Sequence, residues 1–262
     1  MNTIQEKEII TSKLFQYKNL KLKESGLSLT KFGKGKSHVK ICCISDTHQN
    51  HNFIKIPDNI DILIHAGDFC DGDLNKKKHV NNFLNWYIDI KAKYKFLICG
   101  NHDLYLEHMD KKTKNDFIED MKKNNILYLE NNFGVYPDLN LNIYGFPQIL
   151  KRNMPYESIA FEVDAQKLNE ICNTTFDKKI DILITHGPPY DILDKTKRNI
   201  KIGSLTLLED LILREQPSIH VFGHNHDEYG YKIYEFNGKE ILFINSSVKK
   251  SSNPIVFDYY YD

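Results

Sequence analysis

From His38 onward the chain alternates between short apolar runs and stretches in which apolar residues recur every three or four positions. The runs are Val39–Ser45, Ile60–Ala66, Lys95–Cys99, Ile180–Thr185 and Ser218–Phe222. Runs this short, without clean polar alternation, have the form of strands buried on both faces. Between them, Val80, Phe83, Leu84, Tyr87 and Ile88 fall on one side of a helix. Phe161, Ala165, Leu168 and Cys172 mark a second helix, and Leu205, Leu208 and Ile212 a third. The third must stop before Pro217, because the residue preceding a proline is pushed out of the helical region. Strands alternating with helices predict an α/β fold.

The C-terminal part changes pattern. Tyr231–Phe236, Asn237-Gly238 and Glu240–Asn245 predict a β-hairpin with a type I′ turn, and Ile255–Tyr260 predicts one more strand. No internal repeat or linker is visible, so residues 38–262 are expected to form a single domain. Residues 1–37 differ in texture, being rich in Lys, Glu, Ser and Thr. They are expected to be an N-terminal extension packing loosely on that domain, with a short helix around Ile4–Phe15 and turns at Ser25-Gly26-Leu27 and Lys31 to Ser37.

Composition narrows the function classes. The 262 residues include 35 Lys+Arg and 35 Asp+Glu, a formal net charge of zero, which argues against a polyanion-seeking surface; nucleic acid is not the expected partner. Hydrophobic residues make up 41%, which excludes disorder throughout. Five cysteines, an odd number with no C-x-x-C pair, argue against a disulfide framework or a thiolate zinc site and fit a reducing cytosol. No apolar run approaches the roughly 18 residues needed to span a bilayer, and no signal-peptide core is visible. The expectation is a cytoplasmic protein with no membrane segment.

The chemistry gathers where the predicted strands end. Ser45-Asp46-Thr47-His48, His65-Ala66-Gly67-Asp68, Cys99-Gly100-Asn101-His102-Asp103, Thr185-His186-Gly187-Pro188 and Gly223-His224-Asn225-His226 each follow one of the five runs. In open α/β sheets that edge is where ligands bind. Asp, Asn and His without thiolate suit Mn, Fe, Zn, Co or Ni. D-x-H and H-x-H on extended chain put both side chains on one face. The set is too large for one ion and suits two bridged by a shared carboxylate.

The ordered blocks D-x-H, G-D, G-N-H-[DE], H and G-H-x-H resemble the signature of the calcineurin-like metallophosphoesterases, over about residues 38–250. The wording of the blocks, including His186-Gly187-Pro188-Pro189 and the Tyr229-Gly230 after the last, is similar to the metallophosphoesterase-domain-containing proteins and the class III cyclic-nucleotide phosphodiesterases. One position departs: Asp103 stands where that branch usually has Glu. The resemblance implies a four-layer α/β/β/α sandwich and two divalent metal ions, manganese favoured. It implies that Asp46, His48 and His226 hold the first metal, that Asn101, His186 and His224 hold the second, and that Asp68 bridges them. His102 is implied as proton donor to the leaving group, with attack by hydroxide bridging the metals, and Asp103 as the residue that orients His102. By the same analogy Asn245-Ser246-Ser247 closes near the site.

Substrate class follows from what is missing. Phosphoprotein phosphatases of this superfamily have G-D-x-V-D-R-G, and here Gly67-Asp68-Phe69-Cys70-Asp71-Gly72-Asp73 has no arginine to clamp a dianionic phosphate. A small-molecule phosphodiester, such as a cyclic nucleotide, is the expected substrate. A metal-binding scaffold with little catalysis, or a nuclease with the same core, are the alternatives. His51, shortly after D-x-H, is a candidate to face substrate. His65 and His220, inside apolar strands, are expected to be satisfied core residues.

Overall fold

The computed structural model describes residues 19–72, 77–151, 160–248 and 253–262; the helix expected around Ile4–Phe15 lies outside them. The strands are β1 (Lys21–Gly26), β2 (Lys31–Gly33), β3 (Ser37–Ile44), β4 (Ile60–Ala66), β5 (Ala92–Ile98), β6 (Ile126–Tyr128), β7 (Asn132–Gly134), β8 (Ile143–Phe146), β9 (Ile149–Leu150), β10 (Glu162–Val163), β11 (Ile182–Thr185), β12 (Ile219–Phe222), β13 (Gly230–Phe236), β14 (Lys239–Asn245) and β15 (Ile255–Tyr261). The longer α-helices are α1 (Lys77–Asp89), α2 (Lys111–Lys123) and α3 (Ala165–Cys172). Six strands form one sheet in the order β2-β15-β3-β4-β5-β6, seven form a second in the order β1-β13-β14-β12-β11-β8-β7, and β9 and β10 pair with each other.

The side-chain period of two explains why the apolar runs are unbroken. In β3, Ile41 and Cys43 point into the core between the sheets, with Ile62 and Ile64 of β4 and Ile184 and Val221 of the other sheet. Cys42 and Ile44 point the opposite way, against Val80, Phe83, Leu84 and Tyr87 of α1. The far face of the second sheet packs Leu183, Phe222 and Phe243 against Leu168 and Cys172 of α3. Three apolar cores between four layers make the α/β/β/α sandwich. Both central sets, β3-β4-β5 and β8-β11-β12-β14, run parallel. Their carboxyl ends meet across the sheets, where Ser45 N donates to Ser246 O at 2.9 Å.

Helix and hairpin expectations divide. The hairpin is β13 and β14, with Asn237 and Gly238 at φ 52° and 78°, as a type I′ turn requires. The third helix is a π-helix over Leu207–Ile212 followed by a short α-helical turn. Phe161 stands outside α3, in left-handed backbone before Asp164 caps the helix through Lys167 N. The stretch read as a loose extension with turns differs most. From Lys21 it enters both sheets: β1 pairs antiparallel with β13 and β2 parallel with β15, and Leu29 and Phe32 are buried between the sheets. Its strands are held by backbone hydrogen bonds at sheet edges, where exposed Lys and Glu side chains leave no apolar alternation to read. Among the described residues no helix is long and apolar enough to cross a membrane.

Candidate metal centre

At the meeting edge, the backbone turns sharply after three of the parallel strands. Asp46, His48, Asp68 and His224 all lie at positive φ, between 40° and 67°. Non-glycine residues adopt that region at a cost, and such strain clusters at functional sites. The glycines there leave no room for a methyl group. A Cβ on Gly223 would sit 2.3 Å from Asp46 Oδ2, and one on Gly100 would sit 2.3 Å from Asp68 Oδ1.

The turns bring six side chains into two trios. Asp46, His48 and His226 form one, and Asp68, His186 and His224 the other, each offering ligand atoms within 4.8 Å of one another. Asn101 joins the second: its Oδ1 lies 2.9 Å from His186 Nε2 and 2.7 Å from His224 Nδ1. Asp68 faces both trios, with Oδ2 at 3.9 Å from His48 Nε2 and 3.4 Å from His186 Nε2.

Hydrogen bonds behind the trios fix which atoms face inward. His48 Nδ1 donates to Cys70 O at 3.1 Å and His186 Nδ1 donates to Ala66 O at 2.9 Å. A carbonyl can only accept, so each ring, when neutral, has its lone pair on Nε2, facing the centre. Asp46 Oδ2 accepts from Ser45 Oγ at 2.5 Å, Ser247 Oγ at 2.7 Å and His224 N at 3.0 Å. The donor set fits divalent cations. His48 Nε2 and His226 Nε2 stand 3.2 Å apart with the His48 hydrogen on the other nitrogen, an approach that a shared proton or a cation makes favourable. Oxygen and imidazole ligands without thiolate suit Mn, Fe, Zn, Co or Ni. The nearby Cys70 thiol is kept neutral, pushed up first by burial and then by the Asp103 charge.

Charge balance in the metal-free centre follows from the same contacts. Burial alone would raise the Asp68 carboxyl, but the His186 charge and hydrogen bond hold it at about 2. Burial would likewise lower His186, yet the Asp68 and Asp46 charges raise it to about 9. Asp46, also pushed up by burial, is held well below the carboxylate range by its bond to His226 and the charge of His186. The sign of the pH effect is fixed by these shifts. His186 is raised above its ordinary 6.5, so its contribution is complete below pH 6.5 and is lost as pH rises through about 9. Asp68 is depressed below 3.8, so its contribution is complete above that value and is lost as pH falls through about 2. Below pH 6.5 the buried neutral His65 and His220, both lowered to about 3, act the other way, so the pairing is read above it: metal-stripped protein is expected to weaken from about pH 7 toward pH 9. Chemical denaturation in chelator at pH 7, 8 and 9 measures this; a midpoint that climbs to pH 9 would contradict the assigned pairing.

The other candidates are placed differently from one another. The His102 ring is half-buried and edge-on to His48 at 5.0 Å between centroids, while its backbone N donates to Asp68 Oδ1 at 2.7 Å. Gly72, at φ +82°, packs against its Nδ1. Asp103, expected to orient His102, instead accepts from the backbone N of Asp68, Cys70 and Gly100 at 2.9, 2.9 and 2.7 Å. It is wholly buried and fastens the two loops that carry Asp68 and Asn101. Burial, then the Asp68 charge, push its carboxyl up to about 8 against the pull of those N–H groups. His51, expected to face substrate, is corrected: it is buried under α1, bonded to Asn82 at 3.3 Å and packed on Phe83 and Trp86. Positive φ at His48 and Gln49 turns the chain away from the site before it arrives.

His65 is satisfied at both nitrogens, by Gly67 N and Thr47 Oγ1, and burial holds it neutral at about 3. His220 has one partner, Thr185 Oγ1 at 2.8 Å, and its Nδ1 has none among the described residues. The sequence reading missed Ser45 as a support of Asp46 and Asn225 as the brace of the H-x-H turn. Asn225 Nδ2 donates to Leu193 O and Lys195 O at 2.9 and 3.1 Å. Their signal was position beside the ligands; nothing in the residue types distinguishes them.

Comparison with known proteins gives the following. Residues 39–228 match the calcineurin-like phosphoesterase family. The chain is 33% identical over 210 residues to metallophosphoesterase domain-containing protein 1 of Homo sapiens, covering 75% of this chain and 63% of that one. It is 30% identical over 239 residues to a UPF0046 protein of Caenorhabditis elegans, covering 85% and 76%. The chain thus spans less than two thirds of the human relative's length. The protein TT1561 of Thermus thermophilus shares the fold, with a TM-score of 0.53 over 79% of this chain and 89% of that one at 15% identity.

Proposed function

Because this chain belongs to the calcineurin-like phosphoesterase family, hydrolases of phosphate esters that use divalent metals, we propose that it is a phosphodiesterase with two metal ions, manganese preferred, acting in the cytoplasm. Asp46, His48 and His226 would hold one ion, Asn101, His186 and His224 the other, and Asp68 would be shared between them. The observation that carries this reading is the position of Asp68, one carboxylate oxygen turned to two separate trios. Five buried cysteines, none of them in a disulfide, accord with a reducing compartment.

When bound, a metal pair acidifies water and polarises phosphoryl oxygens. This chain's residues do the rest. The loops pinned by Asp103 hold Asp68 and Asn101 in place, and the Ser45 and Ser247 hydroxyls fix Asp46. His102, beside His48 with its ring partly open, supplies the proton to the departing oxygen. The substrate preference rests on charge. Arg214 is engaged with Glu215 and Thr174 O, and the Gly67-Asp68-Phe69-Cys70-Asp71-Gly72-Asp73 block, where the phosphoprotein phosphatases carry a clamping arginine, has none. A monoanionic diester needs less neutralisation.

Assay of manganese-loaded protein with bis-p-nitrophenyl phosphate and p-nitrophenyl phosphate tests the choice. The diester is expected to show the larger kcat/KM. A clear preference for the monoester would overturn the diester reading while leaving the family's chemistry intact.

A further inference from the structure

Two cavities reach residues of the metal centre, and among the described residues they share no lining residue. One, of about 220 Å³, is bounded by Asp46, His48 and His226 and walled by Asn50, Ile54 and Val248. The other is a slot of about 30 Å³ that reaches His224 in the second trio. Phe146, Ile149, Leu150, Ile202 and Leu207 make its walls apolar. Two polar side chains join them: Ser204, whose Oγ already accepts from Leu207 N, and Gln148, whose buried Oε1 has no hydrogen-bond partner among the described residues. Buried acceptors are nearly always paired, and one left open beside a ligand site asks for a donor on the ligand.

We infer that the substrate is an acyclic phosphodiester with two unequal arms, the larger in the 220 Å³ cavity and a compact one in the slot. This rests on the phosphodiester reading and narrows it. A cyclic nucleotide carries both ester oxygens into one sugar, so its organic part leaves phosphorus on one side and fills one opening. An acyclic diester sends two groups in different directions, and each trio has an opening of its own. The slot takes about two or three non-hydrogen atoms. Its walls select a short alkyl group, and Gln148 Oε1 selects an O–H or N–H at its tip.

Benzyl(alkyl)phosphinates carry the diester's single charge and two arms but have no ester bond to cleave. Calorimetry of manganese-loaded protein with the methyl, ethyl and 2-hydroxyethyl members reads the slot directly. Affinity is expected to rise about fourfold from methyl to ethyl, and about fivefold more for hydroxyethyl. Ile202→Trp, and separately the more exposed Leu150→Trp, fill the slot and flatten the series. Gln148→Leu removes only the hydroxyl gain. Equal binding of all three by the wild type, or a gain that survives both tryptophan variants, would overturn the inference while diester hydrolysis stands. If no phosphinate binds but a phosphonate monoanion with one arm does, the two-armed substrate is excluded as well. If bis-p-nitrophenyl phosphate is not hydrolysed either, the diester reading falls, and the inference with it.

Discussion

Replacing His102 with alanine is expected to lower diester turnover by about 10²–10⁴-fold, the contribution of a well-placed general acid, while the protein still binds its metals. The separation is possible because the His102 ring lies outside both trios. Its backbone N bonds a candidate ligand, Asp68 Oδ1, and alanine keeps that N–H. The loss should fall on kcat and should shrink for substrates with acidic leaving groups such as p-nitrophenol, which depart without a proton. Comparing p-nitrophenyl and alkyl diesters for wild type and H102A measures this. An equal loss on both would assign His102 to phosphate binding, and loss of metal would assign it to the centre itself.

Asp68→Asn is expected to do more. Asn keeps the shape and one acceptor oxygen but removes the charge that both trios face. Metal uptake should fall at both, and turnover by about 10³-fold or more, since the metals' stabilisation of transition-state charge is worth several kcal/mol and each 1.36 kcal/mol is tenfold. The same substitution removes the buried partner that raises His186. Metal-stripped D68N should therefore weaken less than the wild type as pH rises from about 7 to 9. Elemental analysis after dialysis, beside the pH series, reads both effects. Full metal content in D68N would remove Asp68 from its shared position.

The centre was legible in the sequence because strand-end chemistry survives folding. A buried parallel strand must deliver its next residues to one edge of the sheet, so the five blocks after five apolar runs had few other places to go. What was not legible turns on single dihedral angles and long separations. His51 follows D-x-H by three positions, yet left-handed backbone at His48 and Gln49 sends it beneath α1. Asp103 follows His102, but its carboxylate points back to three amides; adjacency in sequence carries no information about side-chain direction at a turn. Ser247 does close on the site, as analogy implied, but its bond to Asp46 spans 201 residues and is set by the pairing of the two sheets. In β1 the energetic basis is backbone pairing at an edge, which leaves the side chains free to be polar, and β2 buries a single side chain, Phe32.

The most direct test of a centre organised around Asp68 is its capacity for metal. Stripped wild-type protein, titrated with Mn²⁺ at about pH 7.5 and dialysed, should retain two equivalents per chain, with turnover rising as the second is filled. Retention of a single equivalent at full activity would contradict a paired centre, and retention of none would contradict any metal role for these seven side chains.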